Sequence, residues 1–364
     1  MWHRRTVSVA QMRTPFFIRW RTGPISRSTP AHKLLKVLMQ DRRAVGVLAR
    51  RRRRKIAFHA RHEVILAGGA INSPQMLLLS GIGPREEIKR VGIEVVHDLP
   101  GVGRNLQDHL DVTVIHREKT RHSISLHPRW LFTTGIVALW RYFLGGRRGV
   151  LSTNVAECGG FVKLDADDET PRLQCHFLAT IEQYHTHNLW NTFRYHGYSL
   201  RVCDLHPHSR GTITLASADP MDHPRIEANY LDDARDMETL VAAVKLARGL
   251  LNTTAFAAHR RDEFEPGDKV QSDEDIREFI RERAETIYHP VGTCKMGPDP
   301  SAVSGAVVDA RLRVHGIDGL RVIDASVMPT LVGSNTNAPT TAIAEKGASM
   351  ILEDRLSFSE QVAA

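Results

Sequence analysis

No apolar run in the 364-residue sequence approaches the ~20 residues that a membrane-spanning helix needs. Cysteine is scarce, and no C-x-x-C pair occurs among its four positions, which are Cys158, Cys175, Cys203 and Cys294. We therefore predict reduced thiols in a cytosolic type of protein rather than a disulfide framework. The sequence also has no G-x-S-x-G segment, which excludes the nucleophile elbow of a serine hydrolase.

Acidic residues are nearly absent from the start of the chain. Residues 1–62 hold 17 lysines and arginines against one acid, Asp41, so they carry +16 and the remainder carries −8. Such a patch can bind nucleic acid, and an Arg- and Ser-rich start is also typical of a mitochondrial transit peptide. We favour a third interpretation, in which residues 1–30 are a basic leader outside the native fold. We predict no nucleic-acid partner and a cytoplasmic location, with membrane-peripheral and mitochondrial locations as alternatives.

Local patterns predict several strands and helices. Segments 43–49 and 55–60 flank an arginine run, which predicts a hairpin with a solvated tip, and apolar residues 63–67 predict a strand buried in a sheet. Ser73 and Pro74 predict a helix start, because serine can cap free amides and proline fits the first turn. Gly81 is expected to end that helix. The other predicted helices cover residues 84–91, 236–251 and 339–352.

Two groups of motifs carry the functional information. The first group lies within residues 63–109 and contains Gly-Ala-Ile-Asn-Ser-Pro-Gln from Gly69 and Ser-Gly-Ile-Gly-Pro from Ser80. The second contains Tyr-His-Pro-Val-Gly-Thr from Tyr288, Asp-Ala-Ser from Asp324 and Gly-Ser-Asn-Thr-Asn-Ala-Pro-Thr from Gly333. Together they resemble the glucose–methanol–choline (GMC) oxidoreductases, FAD enzymes that oxidise alcohols. The resemblance covers about residues 31–352.

The resemblance implies a pair of catalytic residues. His289 lies in the family's His-Pro-x-Gly-Thr segment and is expected to accept the hydroxyl proton, a role that suits an imidazole. Asn335 falls where the family places its second active-site Asn or His. Its amide is expected to hydrogen-bond the substrate oxygen and to favour the developing alkoxide.

The resemblance also implies contacts to FAD. Gly68 and Gly69 lack a Cβ atom and would let the backbone approach the cofactor closely. Asp324 and Ala325 match the family segment along the ribityl chain. The last helix would direct the positive end of its dipole at the flavin, and the residues expected there are Thr336, Asn337 and Pro339. A packing turn at the glycines and a plain helix cap at residues 335–339 are the alternatives.

The implied fold class is α/β plus α+β. Residues 31–110 and 286–355 are predicted to build a Rossmann-like FAD-binding domain, and residues 111–285 a substrate-binding domain with an antiparallel sheet. The sequence does not contain the G-x-G-x-x-G loop that holds the FAD pyrophosphate. We therefore predict an incomplete FAD-binding domain that lacks the N-terminal pyrophosphate-binding unit.

The predicted function is the FAD-dependent oxidation of a primary alcohol, choline-like or other, to an aldehyde by hydride transfer to flavin N5. The partner is a small-molecule alcohol, and the electron acceptor is left open. The alternative is a catalytically inactive fragment, or one half of a split enzyme that needs a partner chain.

Glu157 and a set of four histidines form two further groups of candidate residues. By resemblance, Glu157 falls in the substrate domain, where some relatives place a carboxylate against a quaternary ammonium; a solvated or structural glutamate is the alternative. A His-x-His segment can ligate zinc, and the histidines in question are His185, His187, His206 and His208. No third ligand is assigned to them, and histidines in a polar loop are the alternative, so we predict no metal.

Overall fold

The computed structural model describes residues 32–183, 190–301 and 304–363. The chain divides into two compact units. Unit 1 comprises residues 111–204 and 237–285. The predicted leader, residues 1–30, lies outside the described residues. Unit 2 comprises residues 31–110, 205–236 and 286–364. Residues 205–236, which the sequence assigned to the substrate domain, group with unit 2 because their backbone bonds to the 103–106 loop: Leu106 and Gly211 exchange two hydrogen bonds, and Ile213 donates to Gly103.

Unit 2 begins with a three-stranded antiparallel sheet in the order β1–β2–β3. The strands are β1 (Lys33–Gln40), β2 (Arg43–Arg51) and β3 (Arg54–His59). The predicted hairpin is confirmed, with Arg51 paired to Arg54 and the arginines of its tip exposed. The next strand, β4 (Val64–Leu66), pairs in parallel with β15 (Leu320–Val322). The prediction that β4 is buried is wrong for Ile65, which is 46% exposed on one face of this strand pair.

Helix α1 (Gly69–Leu79) begins one turn before its predicted start at Ser73. Pro74 therefore lies inside the helix, where it has no N–H to donate to the carbonyl of Ala70. That carbonyl accepts a hydrogen bond from the Thr293 hydroxyl instead, at 2.6 Å. The predicted end of the helix is confirmed, because Gly81 follows it with a φ of +79°.

The buried face of α1 belongs to the hydrophobic core of unit 2, where Leu77 and Leu78 are almost fully shielded from solvent. The further elements of unit 2 are β5 (Ile82–Gly83), α2 (Arg85–Arg90), β6 (His97–Asp98), β11 (Thr212–Thr214), β12 (Arg225–Glu227) and α8 (Asn337–Ala363). The predicted helices at 84–91 and 339–352 are confirmed, and the second of them is longer at both ends.

Unit 1 contains a six-stranded sheet in which the five strands of the main path pair antiparallel, which confirms the predicted sheet type. The strand order is β13–β7–β10–β9–β8, and β14 also pairs with β7. These strands are β7 (Leu110–Glu118), β8 (Ala156–Val162), β9 (Leu173–Leu178), β10 (Gly197–Asp204), β13 (Arg260–Glu265) and β14 (Glu285–Thr286).

Several helices lie between the strands of unit 1 in the order of the sequence. They are α3 (Pro128–Trp130), which continues through a π-helical turn (Leu131–Gly135) into α4 (Ile136–Phe143), then α5 (Trp190–Arg194), α6 (Ala234–Leu251), which begins in unit 2, and α7 (Asp273–Arg283). The helix predicted at 236–251 is α6. Within the described ranges, none of the helices has the length and apolar character that crossing a membrane requires.

A buried ionic group joins strands β7 and β10 of unit 1. Arg201 donates to both carboxylate oxygens of Asp111, at 2.7 and 2.8 Å, and to Glu182 at 2.6 Å. All three side chains are at least nine-tenths buried. The two carboxylates raise the pKa of Arg201 against the opposing effect of burial, so the guanidinium stays charged.

Candidate active site

The backbone around His289 is held in an unusual conformation. Tyr288, the preceding residue, has a φ of +63°, a region that side chains other than glycine seldom occupy. Its N–H donates to the Thr286 hydroxyl at 2.9 Å, and the N–H of His289 donates to Asp108 Oδ1 at 2.9 Å. These two bonds stabilise the strained turn, which sets the direction of the His289 side chain.

A short antiparallel pairing aligns the His289 segment with the loop that ends in Asp108 and His109. Gln107 and Val291 exchange backbone hydrogen bonds of 3.1 and 2.9 Å, and Ile287 N–H donates to the His109 carbonyl at 3.1 Å. Gly292 follows with a φ of +92°, and a Cβ atom there would lie 2.5 Å from the Asn105 carbonyl oxygen. This pairing fixes the register of the two segments.

Asp108 is a buried carboxylate that accepts several hydrogen bonds at once. Besides the His289 N–H, it accepts the Tyr230 hydroxyl at 2.6 Å and the Thr286 hydroxyl. Burial and the charge of Asp108 together raise the pKa of Tyr230, so the phenol stays protonated and donates. The sequence reasoning did not identify Asp108 or Tyr230 as site residues.

The His289 ring lies close to the side chains of His109 and Asn335. Its Nδ1 lies 2.9 Å from Nδ1 of His109, and its Nε2 lies 3.4 Å from Nδ2 of Asn335. The structure thus brings His289 and Asn335 together, although 46 residues separate them. His289 is 9% exposed and His109 is fully buried, whereas Asn335 is exposed.

An open cleft of about 410 Å³ lies beside this pair. Its lining is polar apart from Ile287, and consists of Ile287, Tyr288, His289, Asn335, Thr336, Asn337, Thr340 and Thr341. The N-terminal residues of α8 form one wall, so the positive end of the helix dipole lies next to His289. The volume falls in the range typical of small-molecule sites, roughly 300–1,000 Å³. Pro339, which was predicted in this group, is half-buried in the first turn of α8.

The predicted residues near α1 form a second group in unit 2. The Asp324 carboxylate accepts hydrogen bonds from Gly69 N–H at 2.9 Å, from the Ser73 hydroxyl at 2.5 Å and from Ser326 N–H at 2.8 Å. Gly69 has a φ of +77°, and a Cβ atom there would meet open space. Gly68, the N-cap residue of α1, is exposed.

The segment that follows His289 connects the two groups. Gly292 N–H donates to the Ala325 carbonyl at 3.4 Å, and Cys294 N–H donates to the Ser326 carbonyl at 2.8 Å. Thr293, which is fully buried, donates its hydroxyl to Ala70 in α1. One continuous stretch of backbone thus links the His289–Asn335 pair to the hydrogen-bonded group formed by Gly69 and Asp324.

The remaining candidates lie elsewhere. Glu157 is in strand β8 of unit 1, and its side chain lies outside the described part of the structure, as do His185 and His187. His208 Nδ1 is 3.2 Å from Asp236. His206 adds to the electrostatic environment that lowers the pKa of His109.

One group among the described residues has metal-ligand chemistry, and the sequence reasoning did not find it. Ligand atoms of Glu118, His122 and His259 lie within 4.8 Å of one another in unit 1. The Glu118 carboxylate already accepts the Thr120 hydroxyl and the N–H groups of His122 and Ser123. These bonds lower the pKa of Glu118 against the effect of burial, and they account for the carboxylate without an ion.

Family models match most of unit 2. Two models of GMC oxidoreductase, one for the N-terminal and one for the C-terminal part of the family, match residues 24–111 and 207–344. The first match includes residues 24–30 of the predicted leader.

Curated proteins with similar sequences extend across both units. The chain is 47% identical to an alcohol dehydrogenase [acceptor] from Pseudomonas putida over 326 residues, which cover 89% of this chain and 57% of the relative. It is 41% identical over 314 residues to oxygen-dependent choline dehydrogenase 1 of Chromohalobacter salexigens, covering 86% of this chain and 54% of the relative. The chain therefore spans a little over half the length of these relatives.

Solved structures show the same fold. A variant of formate oxidase from Aspergillus oryzae, solved to study modification of its FAD, matches with a TM-score of 0.84 and 26% identity. The match covers 94% of this chain and 63% of that chain.

Proposed function

Since the chain belongs to the GMC oxidoreductase family, we propose that it takes part in the FAD-dependent oxidation of a primary alcohol to an aldehyde. The names of its curated relatives, an alcohol dehydrogenase and a choline dehydrogenase, support this class of substrate. The proximity of His289 and Asn335 in a polar cleft at the start of α8 is the observation that carries the proposal.

The residues around the cleft fit the flavin end of FAD. The α8 N-terminus offers partial positive charge and the polar side chains of Thr336 and Asn337, which suit an electron-rich ring. Open space beside Gly69 allows a ligand to approach the backbone at the second group. Gly68 and Ala325 complete the proposed set of contacts there. Because three protein donors already occupy the Asp324 carboxylate, we assign Asp324 a contact through its backbone.

Alcohol oxidation needs a proton acceptor and a group that stabilises the alkoxide. In the proposal, Nε2 of His289 accepts the hydroxyl proton, and the Asn335 amide donates a hydrogen bond to the same oxygen as its charge develops. Bound FAD supplies the hydride acceptor at flavin N5. The strained turn at Tyr288 and the Asp108 bond fix the backbone of the base, which reduces the reorganisation needed during reaction.

A carboxylate contact is proposed for cationic substrates. If Glu157 pairs with a quaternary ammonium, its replacement by Gln weakens binding of choline and leaves a neutral primary alcohol unaffected. Equal effects on KM for both substrates would exclude this role.

The second candidate is a catalytically inactive chain or one half of a split enzyme, and it rests on a separate observation. The 364 residues contain no G-x-G-x-x-G loop, so the pyrophosphate of FAD has no recognised anchor within this sequence. Under this second proposal, the chain is catalytically inactive by itself, or it acts together with a polypeptide that supplies the loop.

Titration of the purified chain with FAD, followed by anaerobic addition of choline or a long-chain primary alcohol, tests both candidates. Bound flavin that is bleached by an alcohol supports the oxidoreductase function. Bound flavin that no alcohol reduces contradicts it. Failure to bind FAD favours the second candidate, which predicts that a co-purified pyrophosphate-binding segment restores binding.

A further inference from the structure

His109 and His289 meet through the same ring nitrogen. The two Nδ1 atoms lie 2.9 Å apart, and the ring planes are inclined at 79°. At this distance the two nitrogens share a hydrogen bond, so one Nδ1 carries the proton and the other offers a lone pair.

The opposite edge of His109 determines the direction of this bond. Its Nε2 lies 3.2 Å from the backbone carbonyl oxygen of Leu205, and a carbonyl can only accept. His109 therefore carries its proton on Nε2. Burial, reinforced by the neighbouring His289 and opposed by hydrogen bonds to the backbone carbonyls of Leu205 and Val332, lowers the pKa of His109 to about 4, so the ring is neutral near pH 7. A neutral ring protonated on Nε2 has its lone pair on Nδ1, and His289 must be the donor.

We propose that His109 is a positioning residue that keeps the proton of neutral His289 on Nδ1 and leaves the lone pair on Nε2. That lone pair lies on the edge of the ring that faces Asn335, which is the edge where a base is needed. The role in catalysis rests on the proposed function, whereas the tautomer itself is a property of the folded chain.

The neighbouring residue supports the same arrangement. Asp108 accepts the backbone N–H of His289, while His109 accepts from its ring. The dipeptide Asp108-His109 thus fixes both the main chain and the imidazole of the base. An imidazole without this acceptor distributes its proton between both nitrogens, and the fraction with Nε2 protonated cannot accept a substrate proton at that position.

Nitrogen-15 NMR of histidine-labelled chain tests the inference without cofactor or substrate. Long-range proton–nitrogen spectra distinguish protonated from lone-pair ring nitrogens, and His289→Gln identifies the signals of His289. We expect Nδ1 protonated and Nε2 unprotonated at pH 7.5. A His289 signal with the proton on Nε2 in the unaltered chain would overturn the inference.

Two substitutions provide the matched comparison. His109→Leu removes the acceptor at similar size, and we expect the ratio of the two His289 tautomers to change by about tenfold, the worth of one hydrogen bond. His109→Asn keeps an acceptor oxygen near the position of Nδ1 and should restore the original ratio. Unchanged tautomers in a folded His109→Leu chain, judged by circular dichroism, would contradict the inference.

If His109→Leu does not fold, the unaltered chain and His109→Asn still decide the question. A chain that shows the expected tautomer but oxidises no alcohol would contradict the proposed function and leave this inference intact.

Discussion

The Ser73 hydroxyl donates to the Asp324 carboxylate at 2.5 Å, across 251 residues of sequence. The same serine accepts the N–H of Gly68 at 2.9 Å, so it ties the N-terminal part of α1 to the segment that follows β15. Asp324 also accepts a hydrogen bond from the Gly69 N–H, so one buried carboxylate holds the N-terminal residues of α1 in place. The group formed by Gly69, Ser73 and Asp324 directly follows the parallel strands β4 and β15 and includes two of the proposed cofactor contacts, Gly69 and Asp324.

Removal of the Asp324 carboxylate should destabilise the chain. Asp324→Ala leaves the donors on Gly69, Ser73 and Ser326 without their acceptor, and hydrogen bonds to a charged group contribute about 1.5–3 kcal/mol each. We expect the free energy of unfolding in urea to fall by at least about 3 kcal/mol. The matched control Asp318→Ala removes an exposed carboxylate and should have little effect. Equal stabilities of the two variants would contradict this account.

The buried ionic group in unit 1 gives a second stability prediction. Arg201→Met leaves Asp111 and Glu182 buried without their cation, which should reduce the free energy of unfolding by about 3–5 kcal/mol. Arg225→Met, at an exposed position of β12, serves as the control. A loss below about 1 kcal/mol would show that the carboxylates find water or other partners.

Thiol reactivity should separate the four cysteines. Cys158 is exposed, whereas Cys175, Cys203 and Cys294 are buried, and burial raises the pKa of each buried thiol. Since the thiolate is the reactive form, we expect one thiol per chain to react quickly with Ellman's reagent under native conditions. Cys158→Ser should abolish that fast phase. Rapid reaction of more than one thiol in the folded chain would contradict the assigned burial.

The lowered pKa of His109 predicts that the folded chain loses stability in acid. The pKa of His109 is lowered from 6.5 to about 4, so the neutral folded form contributes stability that is complete above pH 6.5 and is lost as the pH falls towards 4. The lowering corresponds to at most about 3 kcal/mol. We expect the difference in unfolding free energy between pH 7.5 and pH 4.5 to be smaller in His109→Leu than in the unaltered chain. An identical difference would mean that other histidines account for the pH dependence.

Local sequence patterns predicted the elements whose signals are themselves local. The hairpin β2–β3, the end of α1 at Gly81 and helix α6 follow from turn residues, glycine and apolar spacing. The start of α1 was misplaced because Pro74 usually marks a first turn. Here it is tolerated further inside, since distant Thr293 supplies the missing hydrogen bond.

Prediction of the candidate site was limited in the same way, because long-range contacts leave no local signal in the sequence. The resemblance singled out His289 and Asn335, and the structure brings them together. Asp108 and His109 lay within the matched segment 63–109, yet nothing in their local sequence indicates a partner about 180 residues away. Such contacts become visible once the 107–109 and 287–291 segments are paired.

The rate of flavin reduction in His289→Ala tests the central claim most directly. It is measured by stopped-flow on FAD-loaded chain, alone or with a polypeptide that supplies the pyrophosphate loop. The account predicts that reduction by a primary alcohol slows about 10²–10⁴-fold while flavin stays bound, because a positioned base is lost and the α8 N-terminus is untouched. Asn335→Ala should cost less, about 1.5–3 kcal/mol of transition-state stabilisation, and exposed His223→Ala should have no effect. A reduction rate in His289→Ala equal to that of the unaltered chain would contradict the account.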